Sequence, residues 1–430
     1  MTKSIDFKEM HGDTAWFVHD RFGMFIHWGL YAMGSRHEWL KNIEQLDDNY
    51  YNRYFKFFDP DMYDPESWAK AAKNAGMKYF VITTKHHEGF CLWDSKYTDY
   101  KATNTPAGRD LLTPMIEAFR KEGLKIGLYH SLIDWHHPDY TVDKMHPQRN
   151  SPDKAKLNEG RDGKKYTAYL HSQVRELLTN FGKIDIMWFD FSYPGDDGKG
   201  HENWDSDNLM KMIRELQPDV ILDDRLDIPY GWDIKTPEQF QPRSGVTVDG
   251  KPVVWEACQT LSGSWGYHRD EESWKSVDML VQMLIDSVSK DGNLLLNVGP
   301  TARGELDERA LNRLQGIGEW MKRHNKSIYG CTAAPADFKC PQDCRLTYNP
   351  EKKRLYVHIF AWPFVHLHLE GMADKVEYAQ LLNDGSEIKM EGIADWQAHC
   401  DTSDRTNLLS LSLPVKKPNV TVPVIELFLK

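Results

Sequence analysis

Ionisable and aromatic side chains end several short apolar runs of this 430-residue chain. These run ends are His27-Trp28, Lys85-His86-His87-Glu88, Tyr129-His130-Ser131, Trp188-Phe189-Asp190 and Asp223-Asp224-Arg225. If the runs are parallel strands of one barrel, their last side chains meet at the same face. Imidazoles, a guanidinium and indole rings around a carboxylate suit a polyhydroxylated ligand, because the polar groups bind hydroxyls and the rings cover the apolar face of a sugar.

Asp190 is the best candidate for a catalytic carboxylate, because it ends the largely apolar run 184–190 between aromatic neighbours. Glycoside hydrolysis needs a second carboxyl, about 5 to 5.5 Å away in a retaining enzyme and further away in an inverting one. Two glutamates that follow Asp190 are candidates. Glu238 stands in the loop-like stretch Lys235-Thr-Pro-Glu-Gln-Phe, and Glu256 stands at the end of a sixth apolar run. The spacing leaves the choice between them open.

The histidines raise the question of a metal site. The ligand types that zinc prefers are present in His27, His86-His87, His130, His136-His137 and Asp190. Neighbouring side chains of a strand point to opposite faces, so adjacent histidines chelate poorly, and the chain has no His-Glu-x-x-His motif. No fourth ligand is evident for Cys331, Cys340 and Cys344. We therefore expect no metal and no cofactor, and we assign the histidines to ligand binding.

Charge and composition argue against several classes of protein. The formal net charge is −11 and no basic stripe stands out, which argues against binding nucleic acid. No run approaches the roughly 18 apolar residues of a membrane-spanning helix, so we expect no membrane insertion. The first ten residues lack the apolar segment of a signal peptide, so we expect a cytoplasmic protein with free thiols.

The elements that must position the candidate residues alternate in type up to about residue 330. The runs predicted as strands are 23–28, 78–84, 125–130, 184–190, 220–223, 252–256 and 293–298. The segments predicted as helices are 64–76, 110–123, 166–181, 205–217, 273–290 and 307–326. This alternation, without a Gly-x-Gly-x-x-Gly motif after the first strand, favours a (β/α)8-like TIM barrel over an open doubly wound sheet.

The pattern changes after about residue 331. Runs such as Arg354-Leu-Tyr-Val-His-Ile-Phe and Asn407-Leu-Leu-Ser-Leu-Ser-Leu are separated by Asn-Pro, Asp-Gly and Lys-Pro breaks. Short apolar or alternating runs between such breaks are typical of antiparallel strands. We therefore predict an α/β chain of two domains, a TIM-like catalytic barrel over residues 1–330 and a C-terminal antiparallel β-sandwich over residues 331–430.

Seven motifs together point to one family. They are Phe22-Gly-Met-Phe-Ile-His-Trp-Gly, His37-Glu-Trp, Thr84-Lys-His-His-Glu-Gly-Phe-Cys-Leu-Trp, Asp134-Trp, Met187-Trp-Phe-Asp, Gly263-Ser-Trp-Gly-Tyr and Gly292-Asn-Leu-Leu-Leu-Asn-Val-Gly-Pro-Thr. In these motifs the chain resembles the α-L-fucosidases of glycoside hydrolase family 29. The family's β-sandwich tail is similar to residues 331–430, so the resemblance covers essentially the whole chain.

The resemblance implies roles for individual residues. Asp190 would be the nucleophile of a retaining reaction, and Glu238 is preferred over Glu256 as acid/base because relatives share its Thr-Pro-Glu context. The residues expected to bind the substrate are His27, Glu38, Trp39, His86, His87, His130, Trp188, Arg225 and Glu256. Many relatives carry a second tyrosine where this chain has His130.

The resemblance also implies a partner, a fucosylated oligosaccharide. Transfer of fucose to an acceptor and a homo-oligomeric state are compatible with the sequence. A metal-dependent hydrolase and a non-catalytic sugar-binding protein are the alternatives, and the retained Asp190 argues against the second of them. The natural glycan and the preferred linkage stay open.

Overall fold

The computed structural model describes residues 9–391 and 405–430. Its largest sheet has seven parallel strands in the order β5-β4-β3-β2-β1-β9-β8. Their bounds, with those of the small hairpin β6–β7, are β1 (Phe22–Ile26), β2 (Tyr79–Lys85), β3 (Lys125–Ser131), β4 (Ile186–Asp190), β5 (Ile221–Leu222), β6 (Thr247–Val248), β7 (Lys251–Pro252), β8 (Trp255–Thr260) and β9 (Gly292–Val298). Strands β1, β2, β8 and β9 are buried along their whole length, as parallel strands between a barrel core and outer helices must be.

An irregular segment, residues 233–239, lies between the two edge strands of this sheet. Parallel bridges join Asp223 to Ile234 on the β5 side, and Lys235 to Trp255 and Glu238 to Cys258 on the β8 side. The segment thereby occupies the position of an eighth strand and completes the ring. The TIM-type barrel expected from the alternating pattern is confirmed, although no helix stands on either side of this segment between β5 and β8.

Twelve α-helices occur in the described residues. Their bounds are α1 (Ala15–Asp20), α2 (Tyr31–Gly34), α3 (Leu40–Ile43), α4 (Asp48–Phe57), α5 (Pro65–Asn74), α6 (Leu112–Lys121), α7 (Lys154–Leu157), α8 (Gly163–Asn180), α9 (His201–Trp204), α10 (Ser206–Leu216), α11 (Val277–Val288) and α12 (Glu308–His324). Helix α5 begins where Asp64 and Pro65 predicted a helix start. The Asp64 carboxylate accepts hydrogen bonds from the backbone N–H groups of Glu66 and Ser67, and Pro65 takes the first helical position.

One strand prediction was wrong in a way that matters for the site. The sixth barrel strand was expected over residues 252–256, with Glu256 at its end. Pro252 instead belongs to the β6–β7 hairpin, and the strand runs from Trp255 to Thr260. Glu256 is therefore near the beginning of β8, paired with Asn293 near the beginning of β9.

The C-terminal residues form two antiparallel sheets around a separate apolar core, as the sandwich prediction requires. The strand orders of these two sheets are β10-β11-β12-β17-β14 and β13-β16-β15. The bounds are β10 (Thr332–Ala333), β11 (Cys344–Asn349), β12 (Arg354–Ile359), β13 (His366–Leu369), β14 (Val376–Leu381), β15 (Lys389–Glu391), β16 (Leu409–Ser412) and β17 (Val424–Leu429). The predicted domain boundary at residue 331 falls just before β10.

Direct contacts join the sandwich to the barrel helices. The indole N–H of Trp320 in α12 donates to the carbonyl of Val422 at 2.9 Å, and the Arg345 guanidinium pairs with Asp286 of α11 at 2.8 Å.

Across residues 9–391 and 405–430, no helix combines the length and apolar character needed to cross a membrane.

Candidate active site

A cavity of about 190 Å³ opens at the carboxyl ends of the barrel strands. Eight of the expected site residues line it: His27, Trp39, His86, His87, Trp188, Asp190, Arg225 and Glu238. Phe25, Tyr129, Phe191, Cys258 and Trp265 complete the lining. The volume is smaller than that of drug-sized pockets, about 300 to 1,000 Å³, so it suits a single small ring with polar and aromatic walls.

Asp190 ends β4, and both of its carboxylate oxygens are held. The Tyr129 hydroxyl donates to Oδ2 at 2.8 Å, and Arg225 Nη1 donates to Oδ1 at 2.7 Å. Burial raises the pKa of Tyr129 well above 10, so this hydroxyl stays a donor. The nearby Nε2 of His87 is 3.7 Å from Oδ2. Asp190 is thus fixed at the cavity wall with 14% of its side chain exposed, which leaves it open to a bound molecule.

Arg225 joins the two candidate catalytic carboxylates. Its Nη1 lies 2.7 Å from Asp190 Oδ1 and 2.8 Å from Glu238 Oε2. These two oxygens are therefore at most the sum of the two contacts apart, about 5.5 Å, which is below the separation of about 6.5–9.5 Å in inverting glycosidases. The guanidinium also lies over the Trp188 ring, 4.5 Å from its centroid. Although burial opposes the charge, the nearby acidic groups, Asp190 foremost among them, raise the pKa of Arg225 well above its usual range, so the bridge stays cationic.

Three histidines form one side of the cavity. His27 Nδ1 lies 2.7 Å from Asn297 Oδ1, and His87 Nδ1 lies 2.7 Å from the Ser131 hydroxyl. Burial, assisted by the neighbouring His86, holds the pKa of both His27 and His87 well below 6.5. Because Nδ1 of each ring is already bonded within the protein, these two neutral imidazoles have Nε2 left to bond a sugar hydroxyl.

Aromatic rings form the opposite walls. Tyr129 stacks on Trp188 at 5.5 Å, and Trp39 contacts both His87 and Phe191 with ring centroids 5.0 Å apart. Phe191, the residue after Asp190, has a φ of +79°. Such a backbone is strained for an aromatic residue and turns the chain sharply at the cavity.

Three expected site residues do not line the cavity. Glu38 is not part of the lining, and its Oε2 accepts the backbone N–H groups of Trp265 and Gly266 at 3.1 and 2.9 Å. His130 follows Tyr129 on β3, so its side chain points away from the barrel interior and contacts the Thr84 hydroxyl at 3.3 Å. Glu256 lies one layer below Cys258 in the barrel, beside the Tyr79 hydroxyl.

The cavity contains residues that had not been selected from the sequence. Strand alternation could have found two of them, because Phe25 and Tyr129 stand two positions from His27 and Ser131, on the same face of their strands. Trp265 belongs to a quoted motif expected around the pocket, and its ring lies 5.0 Å from that of His27, which brings its loop to the cavity. Within residues 9–391 and 405–430, no group of three or more His, Cys, Asp and Glu side chains is arranged to hold a metal ion.

Two carboxylates this close together, in a barrel cavity walled by aromatic rings, fit a glycoside hydrolase of the retaining type. The family model described as alpha-L-fucosidase matches residues 2–326. The chain therefore belongs to the alpha-L-fucosidase family, glycoside hydrolase family 29, as its motifs suggested, and it is a retaining alpha-L-fucosidase.

Individual relatives agree with this assignment. The chain is 29% identical to human plasma alpha-L-fucosidase over 84% of its own length and 78% of the relative's. It is 46% identical to alpha-L-fucosidase isoenzyme 1 of Paenibacillus thiaminolyticus, with a TM-score of 0.90 and coverage of 97% and 98% of the two chains. A Bacteroides thetaiotaomicron family 29 enzyme, solved as a trapped covalent intermediate in complex with 2-fluoro-fucosyl fluoride using a Glu-to-Gln mutant, is 29% identical, with a TM-score of 0.81 over 96% of this chain and 95% of that one.

Proposed function

We propose that Asp190 is the nucleophile and Glu238 the acid/base of this fucosidase. In the first step, Asp190 attacks the anomeric carbon while Glu238 gives a proton to the departing glycosidic oxygen. In the second step, Glu238 takes a proton from water, which attacks the anomeric carbon and releases fucose and free Asp190. The single observation that supports this pairing best is that Arg225 Nη1 contacts both carboxylates, at 2.7 and 2.8 Å.

The other lining residues have supporting roles in this proposal. His27, His86 and His87 bind the sugar hydroxyls, and the Trp39 and Trp188 rings cover the apolar face of fucose. Arg225 keeps Asp190 oriented and compensates its charge. The substrate is a fucosylated oligosaccharide whose terminal ring enters the cavity, while the rest of the glycan stays outside. Transfer to an acceptor sugar would use the second step with a hydroxyl in place of water, and a cytoplasmic location stays a prediction.

The nucleophile is tested with Asp190→Gly. This variant should lose turnover of an aryl α-fucoside by several orders of magnitude, and added azide should restore formation of fucosyl azide with the opposite anomeric configuration. The control is Asp196→Gly, which replaces an exposed aspartate on the loop after β4 and should keep wild-type turnover. Unimpaired hydrolysis by Asp190→Gly would refute the assignment.

The acid/base is tested with Glu238→Ala. Substrates with poor leaving groups need protonation, so their kcat/KM should fall on the order of 10²–10⁴-fold, whereas a dinitrophenyl fucoside should be affected far less. Glu256→Ala is the comparison. If the strong dependence on the leaving group appeared in Glu256→Ala and not in Glu238→Ala, the two glutamates would have to exchange roles.

A further inference from the structure

The residue two positions before Glu238 is connected to both catalytic carboxylates. Glu238 stands on the irregular segment 233–239, and 41% of its side chain is exposed. A loop-like segment at the cavity mouth does not by itself fix a carboxylate to the tolerance that catalysis needs. Arg225 is the cation that contacts Glu238, so the placement of its guanidinium decides where the two carboxylates stand relative to each other.

Thr236 holds the side of the guanidinium that faces away from Asp190. Arg225 Nε donates to the Thr236 hydroxyl at 3.0 Å, and Nη2 donates to the Thr236 carbonyl at 3.1 Å. These two bonds leave Nη1 directed at Asp190 and Glu238. Because a guanidinium is planar and its donors have fixed directions, anchoring two of its nitrogens fixes the third.

Asp224 in turn orients Thr236. Its Oδ1 accepts from the Thr236 hydroxyl at 2.8 Å and from the Thr236 backbone N–H at 3.2 Å. A hydroxyl has one hydrogen, and here that hydrogen points to Asp224, so an oxygen lone pair is left for Arg225. Lys235 Nζ pairs with the other oxygen, Oδ2, at 3.0 Å. Charges of alternating sign thus run from Lys235 to the catalytic pair.

We propose that Thr236 is a positioning residue of this fucosidase: its hydroxyl, oriented by Asp224, holds Arg225 so that one nitrogen faces both Asp190 and Glu238. The inference rests on the proposed roles of those two carboxylates. Thr236 acts through Arg225, and it also ties the segment that bears Glu238 to the end of β5. The hydroxyl, and not the volume of the side chain, is the part that matters.

The proposal is tested by Thr236→Val, which keeps the shape of the side chain and removes the hydroxyl. A shift of the guanidinium by a fraction of an ångström to an ångström should lower kcat on the order of 10- to 100-fold, with KM changed much less. Thr236→Ser keeps the hydroxyl and should recover most of kcat. The matched control is Thr103→Val, which removes a threonine–aspartate hydrogen bond of 3.0 Å to Asp94, far from the cavity, and should leave kcat unchanged.

A second measurement separates this proposal from the roles of the carboxylates. A 2-fluoro-fucosyl donor with a dinitrophenolate leaving group labels the nucleophile without needing a proton from Glu238. Intact mass and peptide mapping then give the rate and the site of labelling. Thr236→Val should label Asp190 on the order of tenfold more slowly than the wild type. Label on a residue other than Asp190 would refute the nucleophile assignment. A weak dependence on the leaving group in Glu238→Ala would refute the acid/base assignment. In either case the rate of labelling would still test the role of Thr236.

Three outcomes would overturn the proposal. The first is wild-type kcat and labelling rate in Thr236→Val, and the second is an equal loss in Thr236→Val and Thr236→Ser. If Thr236→Val is not obtained folded, Asp224→Ala replaces it, because it removes the acceptor that orients the hydroxyl and should slow labelling in the same direction. A wild-type labelling rate in Asp224→Ala would be the third.

Discussion

The carboxyl group of Glu256, inside the barrel below the cavity, should be protonated because it is buried. Glu256 is completely buried at the beginning of β8, and the Tyr79 hydroxyl, which donates to its carboxyl, also receives a hydrogen bond from the Asn293 amide at 3.3 Å. Burial raises the pKa of Glu256 from 4.5 to about 8, although hydrogen bonding from Tyr79 and Trp188 acts in the opposite direction. Glu256 is therefore a protonated, neutral carboxyl over most of the neutral range.

The perturbation is Glu256→Gln, which keeps shape and polarity but cannot ionise. The pKa of Glu256 is higher in the folded wild type than in the unfolded chain. Protonation of Glu256 at low pH therefore stabilises the folded state. This contribution is complete below about pH 4.5 and is lost as the pH rises through about 8. At about 1.4 kcal/mol per pH unit, the total is on the order of 5 kcal/mol, and most of it falls between pH 5 and pH 8.

The assay is urea unfolding of both proteins at pH 5, 6, 7 and 8. The free energy of unfolding of the wild type should fall relative to Glu256→Gln by roughly 3 to 4 kcal/mol from pH 5 to pH 8, because contributions from all other groups cancel in the difference. Glu319→Gln, at an exposed position of α12, is the control and should show no such slope. A difference that does not change with pH would refute the reasoning that Glu256 is protonated by burial.

The same variant also addresses the choice of acid/base. Glu256→Gln should hydrolyse a fucoside with a poor leaving group within a few-fold of the wild-type kcat/KM at pH 6, because Glu256 stands below the cavity floor. If its activity fell to the level of Glu238→Ala, Glu256 would have to reach the leaving group, and the position assigned to it in the barrel would be wrong.

Three further predictions concern the cavity and its support. His27 and His87 have pKa values well below 6.5, so their ring signals in NMR spectra should not titrate between pH 5.5 and 8. In the unfolded chain these histidines take up protons as the pH falls below 6.5, so the free energy of unfolding should decrease there. Gly89→Ala should lower the free energy of unfolding by at least about 2 kcal/mol in urea, since Gly89 has a φ of +87° and a Cβ there would lie 2.2 Å from Asp134 Oδ1. Dialysis against a chelator should leave turnover unchanged, and activity that is lost and then restored by zinc would indicate a metal-dependent hydrolase.

Residues at the ends of regular strands were predictable from the sequence. Asp190 and His27 were found because a polar residue at the end of an apolar run must reach the carboxyl face of a parallel barrel. The same rule misled for Glu256, because the beginning and the end of the sixth strand were not distinguished. It misled for His130 because the rule was applied without alternation, which assigns Tyr129 and not its neighbour to the interior.

Long-range contacts explain what could not be predicted. Glu38 Oε2 accepts the backbone N–H of Trp265, 227 positions away in the chain, whereas its expected contact with the sugar stays a prediction. The bridge from Arg225 to both carboxylates likewise brings together β4, the turn after β5 and segment 233–239. Neither periodicity nor spacing specifies such contacts, because they depend on how the barrel closes.

The irregular closing segment has a consequence for the chemistry. In the proposed mechanism Asp190 attacks one carbon atom and must be held still; it ends a regular strand and is bound by Tyr129 and Arg225. In the same proposal Glu238 acts first on the departing sugar and then on a water molecule, and it is the more exposed carboxylate, with 41% of its side chain exposed against 14% for Asp190. The carboxylate that must be fixed thus stands on a regular strand, and the carboxylate that must stay accessible stands on the irregular segment. Arg225, anchored on the closing segment by Thr236, keeps the accessible carboxylate within reach of the fixed one.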